Sequence, residues 1–231
     1  MRWLIPLTLI AAGCQTAPVP DWSLFYDHHP TSILVLPVIN ESTAAEAPIA
    51  FSSTIMHPLV ERGYYVFPIQ PTLEILQANG VYEGGQLASV DPATFHEILG
   101  ADAVLYVTLH SWDTNYAIIA SSVEVSMTYQ LVDARTGAVI WEDDEARVVT
   151  SDTSSSGNPL ADLIGAAINA AVTAAATDYV PLARQANVGA LSVLPPGPLR
   201  EDHAEVRERL LAAHAAAAAR AEPVETASKD G

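Results

Sequence analysis

Apolar residues run from Ile33 to Ile39 in "SILVLPVIN" (residues 32–40), a short stretch of Ile, Leu and Val that closes at Pro37 and Asn40. Such a run predicts a buried strand. The next stretch, "AAEAPIAFSSTIMHPLVERG" (44–63), spaces its apolar positions at the helical period. Pro48 and Pro58 limit that helix or kink it, and Gly63 after Arg62 suits its C-terminal end. "YYVFPI" (Tyr64–Ile69) predicts a second buried strand, and "PTLEILQANG" a helix from Pro71 to Gly80. Residues 81–90 read as a polar loop. "DPATFHEILG" then has Asp91 as N-cap, Pro92 at the first helical position and Gly100 as the stop.

From Ala101 the period changes to two. "ADAVLYVTLHSWDTNY", "SSVEVSMTYQLVDA" and "AVIWEDDEARVVT" predict three consecutive strands, with Val123, Val125, Met127 and Tyr129 on one face. Arg135-Thr136-Gly137 makes the second turn, so the three form an antiparallel meander with one buried face. After a Ser/Gly loop, residues 159–185 predict the longest helix. One of its faces is an apolar stripe including Leu160, Leu163, Ile164 and Ile168, and the other is made of small residues such as Gly165, Ala166 and Ala170. That small face either covers the sheet blandly or offers an association surface. "ALSVLPPGP" (190–198) suggests a last edge strand before the prolines stop it. The order β-α-β-α-α-β-β-β-α predicts an α+β fold with one mixed sheet and helices mainly on one face.

The amino terminus follows a different logic. Met1-Arg2 carries one positive charge, and "WLIPLTLIAA" adds about ten mostly apolar residues before Gly13 and Cys14. This is the layout of a secretory signal, too short for the roughly 20 residues that cross a bilayer. Ala11-Ala12-Gly13 leading into Cys14, the single cysteine of the chain, resembles a bacterial lipobox. The expectation is that the peptide is cut before Cys14 and that its thiol and new amine are acylated. Several acyl chains hold a protein durably to a membrane where one does not. The segments expected are therefore a signal peptide (1–13), a lipidated tether (14–30), an α+β domain (31–199) and an Ala-rich charged tail (200–231), helical or disordered. Gln15, where an aspartate would mark retention, favours the outer membrane.

Charge narrows the partners. Between Cys14 and Leu199 twenty Asp and Glu face four Arg and no Lys, about sixteen net negative charges. Such a surface repels nucleic acid and anionic lipid head groups. No other cysteine exists to form a disulfide, so packing alone must stabilise the domain.

Catalytic and metal motifs are few. His28-His29, His57, His96 and His110 lack the spacing of a metal site, and His28-His29 reads as a hydrogen-bonded pair at the mouth of the first strand. "EDDE" (142–145) alternates faces, giving a solvated acidic edge or a weak site for calcium or a basic partner. No G-x-S-x-G elbow, Walker loop or G-x-G-x-x-G occurs, and Gly84-Gly85 is a poor phosphate cradle. No cofactor is expected.

The segments "HHPTSILVLPVINES", "HPLVERGYYVFPI", "LQANGV", "FHEILGADAVLYVTL", "LVDARTGAVIWE" and "LPPGP" occur in this order. Together, over about residues 24–198, they resemble a family of bacterial outer-membrane lipoproteins of unknown function, encoded beside a CsgG-type curli-production lipoprotein. The resemblance implies a fold like the N-terminal domain of TolB and the periplasmic domains of CsgG and LpoB. It implies a place at the outer membrane and a part in an envelope or secretion assembly, and it carries over no catalytic residue. The leading expectation is thus a non-enzymatic, lipid-anchored module that meets CsgG-like lipoproteins or further copies of itself. The alternative is an envelope hydrolase, or a binder of peptidoglycan or a small ligand, using a cleft near Asn40, Glu41 and Asp113.

Overall fold

A computed structural model of the chain describes residues 19–116, 121–150 and 180–221. The strands are β1 (Ser32–Val35), β2 (Ile39–Asn40), β3 (Tyr65–Val66), β4 (Ala103–Tyr116), β5 (Ser121–Asp133) and β6 (Val139–Thr150). The helices are α1 (Ser23–His28), α2 (Ala47–Glu61), α3 (Ile69–Ala78), α4 (Pro92–Leu99), α5 (Val180–Leu191) and α6 (His203–Ala221).

The strands form one mixed sheet in the order β3-β1-β4-β5-β6, with β2 also paired to β4. β1 runs parallel to both β3 and β4, while β4, β5 and β6 make the antiparallel meander. The predicted first strand is divided in two. Pro37 has no N–H to donate to the ladder, so pairing with β4 stops near Leu36 and resumes at Ile39 opposite Thr108.

Alternation along the strands sorts the core. Ile33, Val35, Leu105, Val107, Met127 and Tyr129 face the larger cluster, which α1, α2 and α5 cover with Phe25, Phe51, Ile55, Leu59 and Ala186. Leu34, Leu36 and Val104 face a smaller cluster under α3, α4 and a 3₁₀ turn at 84–87, with Leu87 and Phe95. Helices thus sit mainly on one face, with a smaller cap on the other. α4 is built as its sequence predicts: the Asp91 side chain accepts from Ala93 N–H at 3.0 Å, Pro92 opens the helix, and Gly100 turns left-handed at φ 74°.

Two expectations change. The tether was expected to reach residue 30, but residues 23–28 form α1, and Phe25 and Tyr26 are buried in the main core. The expected edge strand at 190–198 does not form: α5 runs to Leu191 and a turn follows. Pro195, Pro196 and Pro198 cannot donate to a ladder, and the segment crosses the α2–β3 turn instead. The Ala-rich tail is helical over 203–221, with Leu210 and Leu211 against the core. Of the helix predicted over 159–185, residues up to 179 lie outside the described residues; 180–185 are helical within α5, which runs on to Leu191.

Beyond Leu109, β4 leaves the parallel part of the sheet and continues with β5 and β6 alone, over pairs such as Asn115↔Ser122 and Ser122↔Thr150. The result is a three-stranded arm. Among the described residues, the outer edge of β6 has no strand partner.

Candidate functional site

Three polar groupings and one cleft are candidates, and each is built by a specific local device. The first sits where β1 and β4 begin. Asp102 accepts from the backbone N–H of Thr31 and Ser32, from the Ser32 hydroxyl at 3.0 Å and from Arg135 at 2.6 Å. Burial pushes its carboxyl up, but these donors outweigh burial and hold it below the usual range. Asp133 is treated alike: burial is overcome by the hydroxyl and N–H of Thr136, by His28 at 3.0 Å and by Arg135 N–H. His28 thus pairs with Asp133 rather than with His29, whose ring meets the carbonyl of Tyr26. His96 is held by the Ala101 carbonyl at 2.8 Å, and His57 by Glu61. These groups tie strand ends and turns together.

The second grouping is deeper. Asn187 of α5, fully buried, accepts from the Tyr129 hydroxyl at 2.7 Å and donates to the Phe51 carbonyl at 3.1 Å and to Thr54 Oγ1 at 2.9 Å. It joins α2, α5 and β5 at one point. Every polar atom named finds a partner, as a buried polar network requires.

The third contains the residues of the proposed cleft. Asn40 holds its own loop, accepting from Ser42 N–H and hydroxyl and donating to the Ala44 carbonyl. Glu41 meets His110 Nδ1 at 2.7 Å, His110 Nε2 meets Thr128 Oγ1 at 2.8 Å, and that hydroxyl donates to Asp144 at 2.8 Å. Carboxylate, imidazole and hydroxyl in line look like a nucleophile with its base. The proton count says otherwise. An ionised Asp144 only accepts, so the threonine's single proton goes to it, and His110 must donate to Thr128. A base that donates to its hydroxyl cannot activate it. Asp113 lies on β4, and its side chain falls outside the described residues. Among the described residues no three His, Cys, Asp or Glu side chains converge on a metal position. In "EDDE", Glu142 receives a hydrogen bond from Gln130 at 3.1 Å and Asp144 one from Thr128, on the face where Glu41 and His110 lie. These two acids dress the open side of the sheet.

The cleft is assembled by "LPPGP". Leu194, Pro195, Pro196 and Gly197 are buried. Gly197 N–H donates to the Arg62 carbonyl at 2.6 Å, Leu199 N–H to the Gly63 carbonyl at 3.1 Å, and the Tyr64 hydroxyl to the Pro195 carbonyl at 2.6 Å. A Cβ on Gly197 would stand 2.3 Å from the Gly63 carbonyl oxygen, so only glycine permits the approach. Gly63 itself is left-handed at φ 88°, directing the chain into β3. This clamp brings Arg62 beside Arg200 and α6, where a cleft of about 260 Å³ opens between Trp22, Pro196, Leu210, Arg62, Arg200 and Arg209. The sequence carries no local sign of this site, because Arg62 and Arg209 are distant in the chain and the proline motif reads as the stop of an edge strand.

Cys14 lies outside the described residues. Among the described residues, no helix is long and apolar enough to cross a membrane.

This sheet, covered mainly on one face and closed by the proline clamp, defines the class as an α+β domain of the kind found in bacterial lipoproteins. Residues 20–199 match the family described as "Putative lipoprotein GNA1162-like", and the chain belongs to that family. It is 37% identical over 166 residues to "Putative lipoprotein NMB1124/NMB1162" of Neisseria meningitidis serogroup B, covering 72% of this chain and 75% of that one. The crystal structure of lipoprotein GNA1162 from Neisseria meningitidis superimposes with a TM-score of 0.53 at 36% identity, over 63% of this chain and 100% of that one. The LpoB C-terminal domain from Salmonella enterica matches with a TM-score of 0.36 at 21% identity, over 52% of this chain and 83% of that one. The match ends at Leu199, so Arg200, Arg209 and α6 lie beyond it.

Proposed function

We propose that the chain is a lipid-anchored, non-enzymatic interaction module on the periplasmic side of the outer membrane. Cys14 carries the acyl chains, and the domain presents the β4–β5–β6 arm to its partners. The observation that carries this reading is membership of a lipoprotein family across residues 20–199, joined to the leader that ends at Cys14. Tethering raises the effective concentration of the domain for partners in the same membrane. Strand addition along the outer edge of β6 supplies the contact, since its N–H and C=O groups have no strand partner among the described residues. The partners are other envelope lipoproteins of the CsgG-like kind, or further copies of the chain. A hydrolase working from Glu41 and His110 is not favoured, because the Thr128 hydroxyl in their line gives its proton to Asp144.

Mass measurement of the mature amino terminus, combined with crosslinking in native membranes, tests both halves. The expected result is an acylated Cys14 and crosslinks from β6 to a lipoprotein or a second copy. An unmodified thiol would end the anchor reading; crosslinks confined to soluble periplasmic proteins would end the assembly reading.

A further inference from the structure

Four of the nine arginines of this acidic chain, Arg62, Arg200, Arg207 and Arg209, gather at one end of the molecule. Arg207 stacks over the Tyr26 ring at 5.5 Å and is thereby accounted for. The other three line the cleft against a single carboxylate, Asp202, which Arg200 grips with two bonds of 2.7 Å. The cleft is therefore locally positive by about two charges in a chain of net charge −17. Asp202, Val206, Arg209 and Leu210 reach the cleft from one side of the α6 segment, whereas Glu201, Glu205 and Glu208 are not among its walls.

Two donors in this cleft are unused. The Nε of Arg62 is buried without a hydrogen-bond partner among the described residues, while its Nη2 donates to the Leu194 carbonyl. A buried guanidinium N–H left unmatched is costly. Arg209 has no acidic group within ion-pair distance among the described residues. Burial foremost, with the like charge of Arg200, disfavours the charged form of Arg62 and outweighs the opposing influence of Tyr64, Asp202 and Tyr26. An anion seated between them would relieve both.

We propose that the cleft between Arg62, Arg200 and Arg209 binds a phosphate ester, with the phosphate on the guanidiniums and its organic part on Trp22, Pro196 and Leu210. Planar guanidinium forks match phosphate oxygens in pairs. A cleft of about 260 Å³ exceeds what a bare carboxylate fills, and its apolar walls fit a short organic group. Position suggests a source. Trp22 is eight residues after Cys14, at most about 29 Å of extended chain. If Cys14 is the anchor, lipid head groups are within reach, and this choice of source, unlike the cleft itself, rests on the anchor reading.

The test uses the full chain purified in detergent, with its amino-terminal mass read on the same preparation. Calorimetric titrations with inorganic phosphate and glycerol 3-phosphate, and co-flotation with phosphatidylglycerol or phosphatidylcholine vesicles, are run at constant ionic strength. Saturable binding of either soluble phosphate, weakened at least tenfold by Arg209→Gln and unchanged by Arg184→Gln on α5, supports the site with a soluble ligand. Extra flotation on phosphatidylglycerol over phosphatidylcholine that Arg209→Gln removes supports a head-group ligand. Arg62→Gln, which also loses a bond to Leu194, must show the same loss, and Arg209→Gln guards against mere unfolding. No binding in any arm overturns the proposal, as does binding that survives both substitutions. Phosphate binding by a chain with a bare Cys14 would keep the cleft and remove the anchor; an acylated chain that binds no phosphate would do the reverse.

Discussion

Two hydrogen-bond networks in this molecule use the same chemistry and differ in burial. Asn187 and its partners Tyr129, Thr54 and Phe51 are closed off from water, with Asn187 at 0% exposure. Glu41, His110, Thr128 and Asp144 make bonds just as short, but the His110 and Glu41 side chains are 42% and 57% exposed. Water can replace every partner in the second network and none in the first. The difference teaches that bond length does not rank these sites; the fate of the abandoned partner does.

The sharpest way to break the comparison is Asn187→Ala. It takes away the Asn187 acceptor of the Tyr129 hydroxyl and leaves a cavity between α2 and α5, so a loss of about 3–5 kcal/mol is expected. Urea denaturation checks it; a loss below about 1 kcal/mol would mean that water enters the core. Gly197→Ala comes next, because its Cβ would meet the Gly63 carbonyl oxygen at 2.3 Å. Undocking of the proline clamp is expected to cost about 2–3 kcal/mol and to expose the segment after Leu194 to protease, which limited digestion reads directly.

Acid gives a third test, on groups of intermediate exposure. The Asp102 and Asp133 carboxyls lie below their ordinary values in the fold despite burial, because hydrogen bonds from Ser32, Thr31 and Arg135, and from Thr136 and His28, overcome it. A group lowered on folding adds stability that is complete above its unfolded pKa, about 3.9. That stability is lost as pH falls through the folded value. Melting temperature should therefore fall steeply below about pH 4, and Asp102→Asn should flatten that fall while lowering the plateau at neutral pH. The smallest effect is expected from His110→Ala, under about 1 kcal/mol by the same denaturation measurement, since its hydrogen bonds are exposed and water can take over for its partners. A larger loss would make the open face part of the core's cooperative unit.

Local patterns announced much of the architecture. The alternation at Val125, Met127 and Tyr129 is the alternation of the buried face, and Asp91, Pro92 and Gly100 bound α4 as their chemistry requires. Prolines cut both ways. Pro37 interrupts the first strand because ladder pairing needs its missing N–H, and "LPPGP" docks on Gly63 and Tyr64 rather than extending the sheet. Nothing local distinguishes a proline stop from a proline clamp, since the deciding contact is with residues some 130 positions earlier.

The suspected site near Asn40 and Glu41 was legible as a concentration of polar groups, and the structure does bring Glu41 to His110. Its limit was not legible, because the direction of the Thr128 proton depends on Asp144 across the sheet. The arginine cleft was invisible from composition. The whole chain holds 27 acids against 10 Lys and Arg, and that average concealed a local reversal of sign.

By itself the sequence determined most of the strands and helices and the α+β class, because hydrophobic period and capping residues are properties of neighbouring residues. Tertiary structure alone decided that residues 23–28 join the core, that a glycine admits the proline segment against Gly63, and that distant arginines share one cleft. Those outcomes depend on which surfaces meet, and short-range pattern carries no record of a meeting between residues more than a hundred positions apart.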